Sequence, residues 1–219
     1  MIKLADPNAE TTEWQLEYAD LSDAEAATLR AFFSAVEGSL IGFTFLDPAG
    51  NLLASSEQLD AAVWQKDPML TVTQQTGMWQ LSNGGSAGQS LSQTLQAPGS
   101  YQYCLSAYVR SENGGSIGLT IGTETTQYPV ATDWNRVIAV GTGAADAESM
   151  LFGIQVAGGS TVQVYGIQVE PQGGASVYKA STRGGIYEDA HLEIDELKMI
   201  CTGVNRHSCT VNVIHAKHI

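Results

Sequence analysis

Residues 21–48 read LSDAEAATLRAFFSAVEGSLIGFTFLDP, and this stretch decides how the ends of the chain must be built. Ser22 and Glu25 form an S-x-x-E capping box, in which the hydroxyl takes an N3 amide and the carboxylate reaches back to the Ser22 amide. Asp23 and Glu25 also sit at the positive end of the helix dipole. Ala26, Leu29, Phe32, Phe33 and Val36 follow at three-and-four spacing, which predicts one apolar helical face. Gly38 stands where a left-handed residue would close the helix. Leu40–Leu46 then reads as a strand with Phe43 and Phe45 on one side, stopped by Asp47-Pro48. A helix and a strand cannot bury this much apolar surface alone, so the stretch needs partners from elsewhere in the chain.

Upstream, Glu13–Tyr18 alternates as a strand, with Trp14, Leu16 and Tyr18 sharing a face. At the far end, Leu192–Cys201 and Ser208–Ile214 read as two strands joined by a turn over Thr202–His207. Such a pair is not stable by itself. The economical arrangement joins residues 1–48 and 183–219 in one split α+β domain, with residues 49–182 inserted as a second domain. Trp14, Leu16, Leu29, Phe32, Phe33, Phe43 and Phe45 are the expected core of the split domain.

The insertion has a different texture. Short β-like runs alternate with Gly, Asn and Ser clusters: Leu70–Gln74, Met78–Leu81, Gln89–Gln96, Tyr101–Arg110, Ser116–Ile121, Thr126–Val130, Asn135–Val140, Met150–Val156 and Thr161–Val169. Many short strands at this spacing predict an antiparallel β-sandwich or jelly roll. In the last run, Val162, Val164, Gly166 and Gln168 are expected on one face and Tyr165, Ile167 and Val169 on the other. A short helix is expected over Ser56–Trp64. The fold class is therefore mainly β, with one principal helix on a small sheet and an inserted sandwich.

Lys plus Arg number 10 against 23 acidic residues, a net charge of −13. So few cations argue against nucleic acid and anionic membranes as partners. No apolar run is long enough to span a bilayer, and the N-terminal residues lack a secretory h-region, so membrane insertion is not expected and first folding is expected in a cytoplasm. Three cysteines are an odd count, which argues against a disulfide framework.

Two sets of motifs carry a family resemblance. W-Q-L-E-Y…L-S-x-A-E-x-x-x-L-R-x-F-F-x-A-x-x-G…F-x-F-x-D-P, from Trp14 to Pro48, resembles the N-terminal part of distal tail or tail-tip proteins of long-tailed bacteriophages and related particles. Asn51-Leu52-Leu53 with Ser55, Ser56, Glu57 and Trp64-Gln65-Lys66 resembles the opening of jelly-roll modules in phage tail proteins. Y-x-Y-C-L-S-A-Y-V-R-S (Tyr101–Ser111), Trp134 with Arg136, and V-Y-G-I-Q-V-E (Val164–Glu170) with Tyr178 continue it. These modules are similar to carbohydrate-binding modules. The resemblance implies a belt domain assembling with copies of itself into a ring at the tube end, next to tail-tube and hub proteins, with the inserted module outward and host surface polysaccharide as a ligand. The location implied is the virion tail, assembled in the host cytoplasm. The pattern contains no catalytic residues, so a structural component or glycan-binding adhesion module is expected rather than an enzyme.

Sugar rings stack on aromatic faces, which nominates Trp79, Tyr128 and Trp134, with Asp133 and Gln80 as neighbouring polar groups. Core packing competes at each aromatic position, and for Trp64 it is the favoured reading. Cys201, His207, Cys209, His215 and His218 could be imagined around a metal, but their spacing matches no closed zinc pattern and no metal or cofactor is expected. A Cys201–Cys209 bridge across the hairpin is conceivable, with free buried thiols the favoured state. Asn51, Glu57 and Glu170 are compatible with a structural calcium without specifying one. Glu188-Asp189 and Asp195-Glu196 point to opposite faces if they lie on strands, so they read as solvated surface rather than a glycosidase pair. No G-x-S-x-G, H-E-x-x-H or phosphate loop is present.

Overall fold

The computed structural model describes residues 10–217. In chain order its elements are β1 (Glu10–Leu21), α1 (Asp23–Ala35), β2 (Phe43–Leu46), β3 (Gln65–Lys66), β4 (Leu70–Gln75), β5 (Met78–Asn83), β6 (Gln89–Leu95) and β7 (Tyr103–Arg110). There follow β8 (Gly115–Ile121), β9 (Glu124–Val130), β10 (Asn135–Gly141), β11 (Met150–Val156), β12 (Thr161–Glu170), β13 (Ile186–Leu192), β14 (Met199–Gly203) and β15 (Arg206–Lys217). The fold is mainly β, with antiparallel sheets and one α-helix among the described residues. The chain divides into two compact units: one joins the residues up to Phe45 with those from Tyr187, and the other is Leu46–Ile186.

The larger unit is a β-sandwich of two five-stranded sheets, ordered β10-β7-β12-β5-β4 and β3-β6-β11-β8-β9. Period-two alternation fills the space between them. Tyr103, Leu105, Ala107 and Val109 of β7 are buried, and so are Met150, Phe152, Ile154 and Val156 of β11. Strand β12 departs from the expected alternation. Val162 and Val164 face inward, but so do Ile167 and Val169, because the register with β7 shifts between Tyr165 and Gln168 at Gly166. Gly166 has φ +62°, and a Cβ there would lie 3.0 Å from the Tyr108 ring. The extra residue of this bulge flips the parity of everything after it. Tyr165 is thereby left on the outer face instead of sharing one with Ile167 and Val169.

The helix expected over Ser56–Trp64 is absent. Three separate turns stand there, closed by Gln58 N to Ser55 O, Ala61 N to Gln58 O, and Trp64 N to Ala61 O. Ser55 is left-handed (φ 47°), and Ser55 N and Ser56 N are bonded to Thr182 O and Ser181 O, which ties the segment to a stretch distant in sequence.

In the smaller unit the sheet runs β1-β15-β13-β2, with β14 also paired to β15. The capping box forms: Ser22 N donates to Glu25 Oε2 at 2.8 Å, and Glu25 N to Ser22 Oγ. Asp23 N, another orphan donor of the first turn, donates to Asn205 Oδ1 at 2.7 Å. Val36, Phe45, Ala190, Leu192, Cys209, Val211 and Val213 form the buried core, with Trp14, Leu16, Leu29, Phe33 and Phe43 packed around it. Phe32 does not belong there. It is 39% exposed, with its ring edge-on to Phe43. At about 100° per residue Ala26, Leu29, Phe33 and Val36 share one arc, and Phe32 falls beyond its edge.

Two expected strands are shorter than their sequence pattern. Residues before Phe43 close the helix instead of extending a strand, through Gly38 N to Phe33 O and Ile41 N to Val36 O. Leu192–Cys201 is broken: β13 ends at Leu192, and Asp195 in the following loop accepts from Ser39 Oγ and N. Strand β13 itself, starting at Ile186, is absent from the sequence-based assignment.

Candidate functional site

The outward side chains of the sheet β10-β7-β12-β5-β4 form two transverse rows. Arg136, Tyr108 and Tyr165 are in register in one, and Arg110, Gln163, Gln80 and Thr73 in the next. Tyr108 and Tyr165 stack with ring centroids 4.6 Å apart and planes at 7°. Trp134, just before β10, meets Tyr165 edge-on at 4.7 Å. Arg110 lies over the Trp134 ring at 4.8 Å, and Arg136 over Tyr108 at 5.3 Å. Each ring is half-buried, so each keeps some apolar surface in contact with water.

A line of amides continues the face. Arg110 Nε donates to Gln163 Oε1 at 2.5 Å, Gln163 Nε2 to Gln75 Oε1 at 3.4 Å, and Gln75 Nε2 to Gln80 Oε1 at 2.8 Å. A cleft of about 150 Å³ opens beside them, lined by Ser56, Glu57, Gln75, Met78 and Tyr165 among others. The Tyr178 hydroxyl lies 3.1 Å from Ser56 Oγ and donates to Glu57 Oε1 at 3.3 Å. Burial, opposed by the Ser56 hydrogen bond and aided by the Glu57 charge, pushes this phenol up to about 12. It is therefore a neutral donor at ordinary pH.

Buried polar groups hold the segment after β12 in place. Glu170, 1% exposed, accepts from Ser176 N at 3.0 Å and from Gln172 Nε2 at 2.9 Å. Gln168 Oε1 accepts from Lys179 N at 2.7 Å. Arg136 donates through Nη1 to Ser176 O and through Nη2 to Ser106 Oγ. Asn51 Nδ2 donates to Ile167 O and Lys179 O, while Asn51 Oδ1 accepts from Leu53 N and Val169 N. These bonds satisfy groups that would otherwise be costly to bury, and they fix Tyr178 beside Gly166.

The structure sorts the residues nominated from the sequence. Trp134 is on the aromatic face, and Gln80 is in its amide line. Trp79 is not a platform: it is 5% exposed, and its Nε1 donates to Glu57 O at 3.1 Å. It occupies the inward side of β5, where alternation buries it beside Leu81. Tyr128 belongs to β9 of the other sheet, packs against the core and donates to Ile138 O at 2.6 Å. Burial, with Cys104 adding, raises its phenol. Trp64 is buried, with Nε1 donating to Ser55 O. Asp133 is exposed in the turn before β10. Tyr108, Arg110, Gln163, Tyr165 and Gln75 were not nominated. Their outward alternation and the strand-interior Gly166 were the available signals.

Asn51, Glu57 and Glu170 each bond different partners: Asn51 the backbone of Leu53, Ile167, Val169 and Lys179, Glu57 the Tyr178 hydroxyl, and Glu170 Ser176 N and Gln172 Nε2. Among the described residues no group of three or more His, Cys, Asp or Glu is arranged around a metal position. In the C-terminal set, Met199 faces Cys209 and Cys201 faces His207, so the two cysteines are diagonal and both are free. Cys209 is buried, but Cys201 is exposed, contrary to the expectation of buried thiols. His207 Nε2 lies 2.7 Å from Asp23 Oδ1, and His215 packs edge-on to Tyr187. His218 lies outside the described residues. No helix among those residues is long and apolar enough to cross a membrane.

No protein-family model and no curated protein matches the chain. Among solved structures it is similar to the C-terminal family 22 carbohydrate-binding module of Clostridium thermocellum Xyn10B, at 9% identity and TM-score 0.45, over 59% of this chain and 99% of that one. A family 61 module solved with β-1,4-galactotriose is similar at 13% identity and TM-score 0.43, over 56% of this chain and 99% of that one. The enzymatically active domain of tailspike protein 4 of bacteriophage CBA120 is similar at 14% identity and TM-score 0.42, over 55% of this chain and only 21% of that one. The strand topology described above is independent of these distant likenesses.

Proposed function

We propose that the sandwich unit is a saccharide-binding module. The observation that carries this reading is the cluster of Trp134, Tyr165 and Tyr108 on one sheet face, bordered by a line of glutamine amides and two arginines. A pyranose presents an apolar C–H face and a rim of hydroxyls. Aromatic rings complement the first, and groups that both donate and accept complement the second. The segment held by Glu170 and Asn51 keeps Tyr178 and the cleft preorganised, which lowers the cost of binding.

The test is a glycan array followed by calorimetry on the best ligand. Trp134→Ala and Tyr165→Ala are expected to weaken binding at least about tenfold, and Gln155→Ala, on the outer face of the other sheet, to leave it unchanged. A wild-type protein that captures no glycan ends this reading. We read the module as binding without cleaving. Release of reducing ends from the bound polysaccharide would overturn that.

A second reading is supported by the smaller unit. Strand β1 leaves one edge unpaired among the described residues, and Leu40, Ile200 and Val204 are 70%, 65% and 98% exposed. An open edge and exposed apolar side chains suit self-association. This supports a ring-forming component of a phage tail tip that carries the saccharide module outward on the virion. The two readings are compatible. A mass measurement in solution giving only monomer, together with a particle reconstruction lacking this chain at the tube end, would remove the second and leave the first.

A further inference from the structure

We infer that the saccharide bound on this face carries a carboxylate, and that Arg110 is the residue that takes it. The inference rests on the saccharide reading above and adds the charge class of the ligand. The larger unit is poor in cations, with five Lys and Arg residues in Leu46–Ile186, yet two of them, Arg110 and Arg136, lie against the aromatic rings of one face. The two differ in what they have left to offer. Arg136 donates through Nη1 to Ser176 O and through Nη2 to Ser106 Oγ, and its remaining Nε is unpaired but buried.

Arg110 is held but not used up. Its Nε is fixed by Gln163 Oε1, its Cζ lies over the Trp134 ring, and the contact made by its terminal nitrogens is a weak one of 4.0 Å from Nη2 to Met78 Sδ. The in-register side chains around it on the face, Gln163, Gln80, Thr73, Tyr108 and Tyr165, are all uncharged. Among the described residues no carboxylate lies within ion-pair distance of it. The one carboxylate on the outward side of β12, Glu170, is buried and already paired with Ser176 N and Gln172.

A guanidinium held over an indole and anchored at Nε is a preorganised fork for a planar two-oxygen anion. Trp134 and Tyr165 beside it would take the sugar ring. That spacing joins an apolar face and an acidic group within one residue, which is the chemistry of a uronic acid. Long-range attraction does not contribute, because the chain is net −13 and repels polyanions. Discrimination must come from the local pair, so small ligands report it better than long acidic polymers.

The experiment uses the whole chain. A glycan array bearing neutral, uronic-acid-containing and sulfated oligosaccharides is read first. Titrations with sodium glucuronate, glucose and glucose 6-sulfate at matched ionic strength follow, monitored by the Arg110 Nε and Trp134 Nε1 resonances. Glucuronate is expected to bind about tenfold or more tightly than glucose, and Arg110→Gln to remove that preference while keeping the wild-type melting profile. Trp134→Ala is expected to weaken both sugars together. Equal binding of glucose and glucuronate, or a preference that survives Arg110→Gln, overturns the inference and leaves the saccharide reading standing. Equal binding of the sulfate overturns the assignment to a carboxylate. An array on which nothing binds removes the saccharide reading, and this inference with it.

Discussion

The two sheets of the sandwich bury matching inner faces and differ in what they turn outward. Between them, β7 contributes Tyr103, Leu105, Ala107 and Val109, and β11 contributes Met150, Phe152, Ile154 and Val156. Outside, the sheet containing β7 carries Tyr108, Tyr165, Arg110 and Gln163. The sheet containing β11 carries Gly118, Thr120, Ser92, Gly153 and Gln155. That second face also has a trough, of about 420 Å³, larger than the 150 Å³ cleft beside the aromatic rings. Concavity is therefore a poor guide here. The larger hollow is lined by Gly153 and short polar side chains such as Ser92 and Thr120, whereas the smaller one is bordered by rings and amides that can pair with a ligand. The inner alternation makes the fold, and the outer alternation is free to make a site.

The sharpest test of that division is an inward substitution on the plainer sheet. Phe152 is fully buried and meets Tyr103 edge-to-face at 5.2 Å. Phe152→Ala should cost about 3–5 kcal/mol in urea unfolding, yet leave the saccharide affinity of the folded fraction unchanged. A loss below about 1 kcal/mol would show that the two sheets do not share a close-packed core. A changed affinity would show that the faces are not independent.

A backbone substitution on the aromatic sheet should do less to stability and more to binding. Gly166→Ala forces a Cβ onto a residue with φ +62° and within 3.0 Å of the Tyr108 ring. The expected cost is about 1–3 kcal/mol, with weaker binding because Tyr108 and Tyr178 both flank that position. Gly153→Ala, crowded against Ser92 on the other face, should leave binding intact. If both glycine variants bind like the wild type, the aromatic face is not the site.

The strands of the sandwich were largely legible because alternation and Gly-Asn breakers coincide. Met150–Val156 is a strand in the structure with those same limits. The capping box at Ser22 and Glu25 was legible for the same local reason. The misses share a cause in tertiary context. One glycine at 166 reversed the parity of β12, so Tyr165 was assigned a face with core residues. Ser56–Trp64 has helix-like content but spends it on three separate turns. Trp79 was nominated for its aromatic ring, and only the packed sheet shows that it faces inward. Beyond their alternation, Tyr108, Arg110 and Gln163 carry no local signal of a site in the sequence. They become a site only when β7 and β12, far apart in sequence, are laid side by side.

The subtlest difference between the faces concerns alkaline pH. Tyr178, beside the aromatic face, has its phenol raised from 10.0 to about 12, first by burial. The outer face of the other sheet carries no tyrosine among its in-register residues Ser92, Gly153, Thr120 and Thr125. A phenol raised in the folded state stays protonated there while the unfolded chain releases its proton. The stability it contributes is thus full below the ordinary value of 10.0 and declines as the pH climbs through about 12. Tyr103 and Cys104, raised by burial to about 12 and about 11, give the same sign from the same sheet. The thermal midpoint should therefore fall on going from pH 10 to 12. Tyr178→Phe should start lower, having lost the hydroxyl contacts with Ser56 and Glu57, and should fall less steeply over that window. Equal slopes for the two proteins would mean that Tyr178 titrates as it does in the unfolded chain, and that the segment holding it beside the aromatic face is open at high pH.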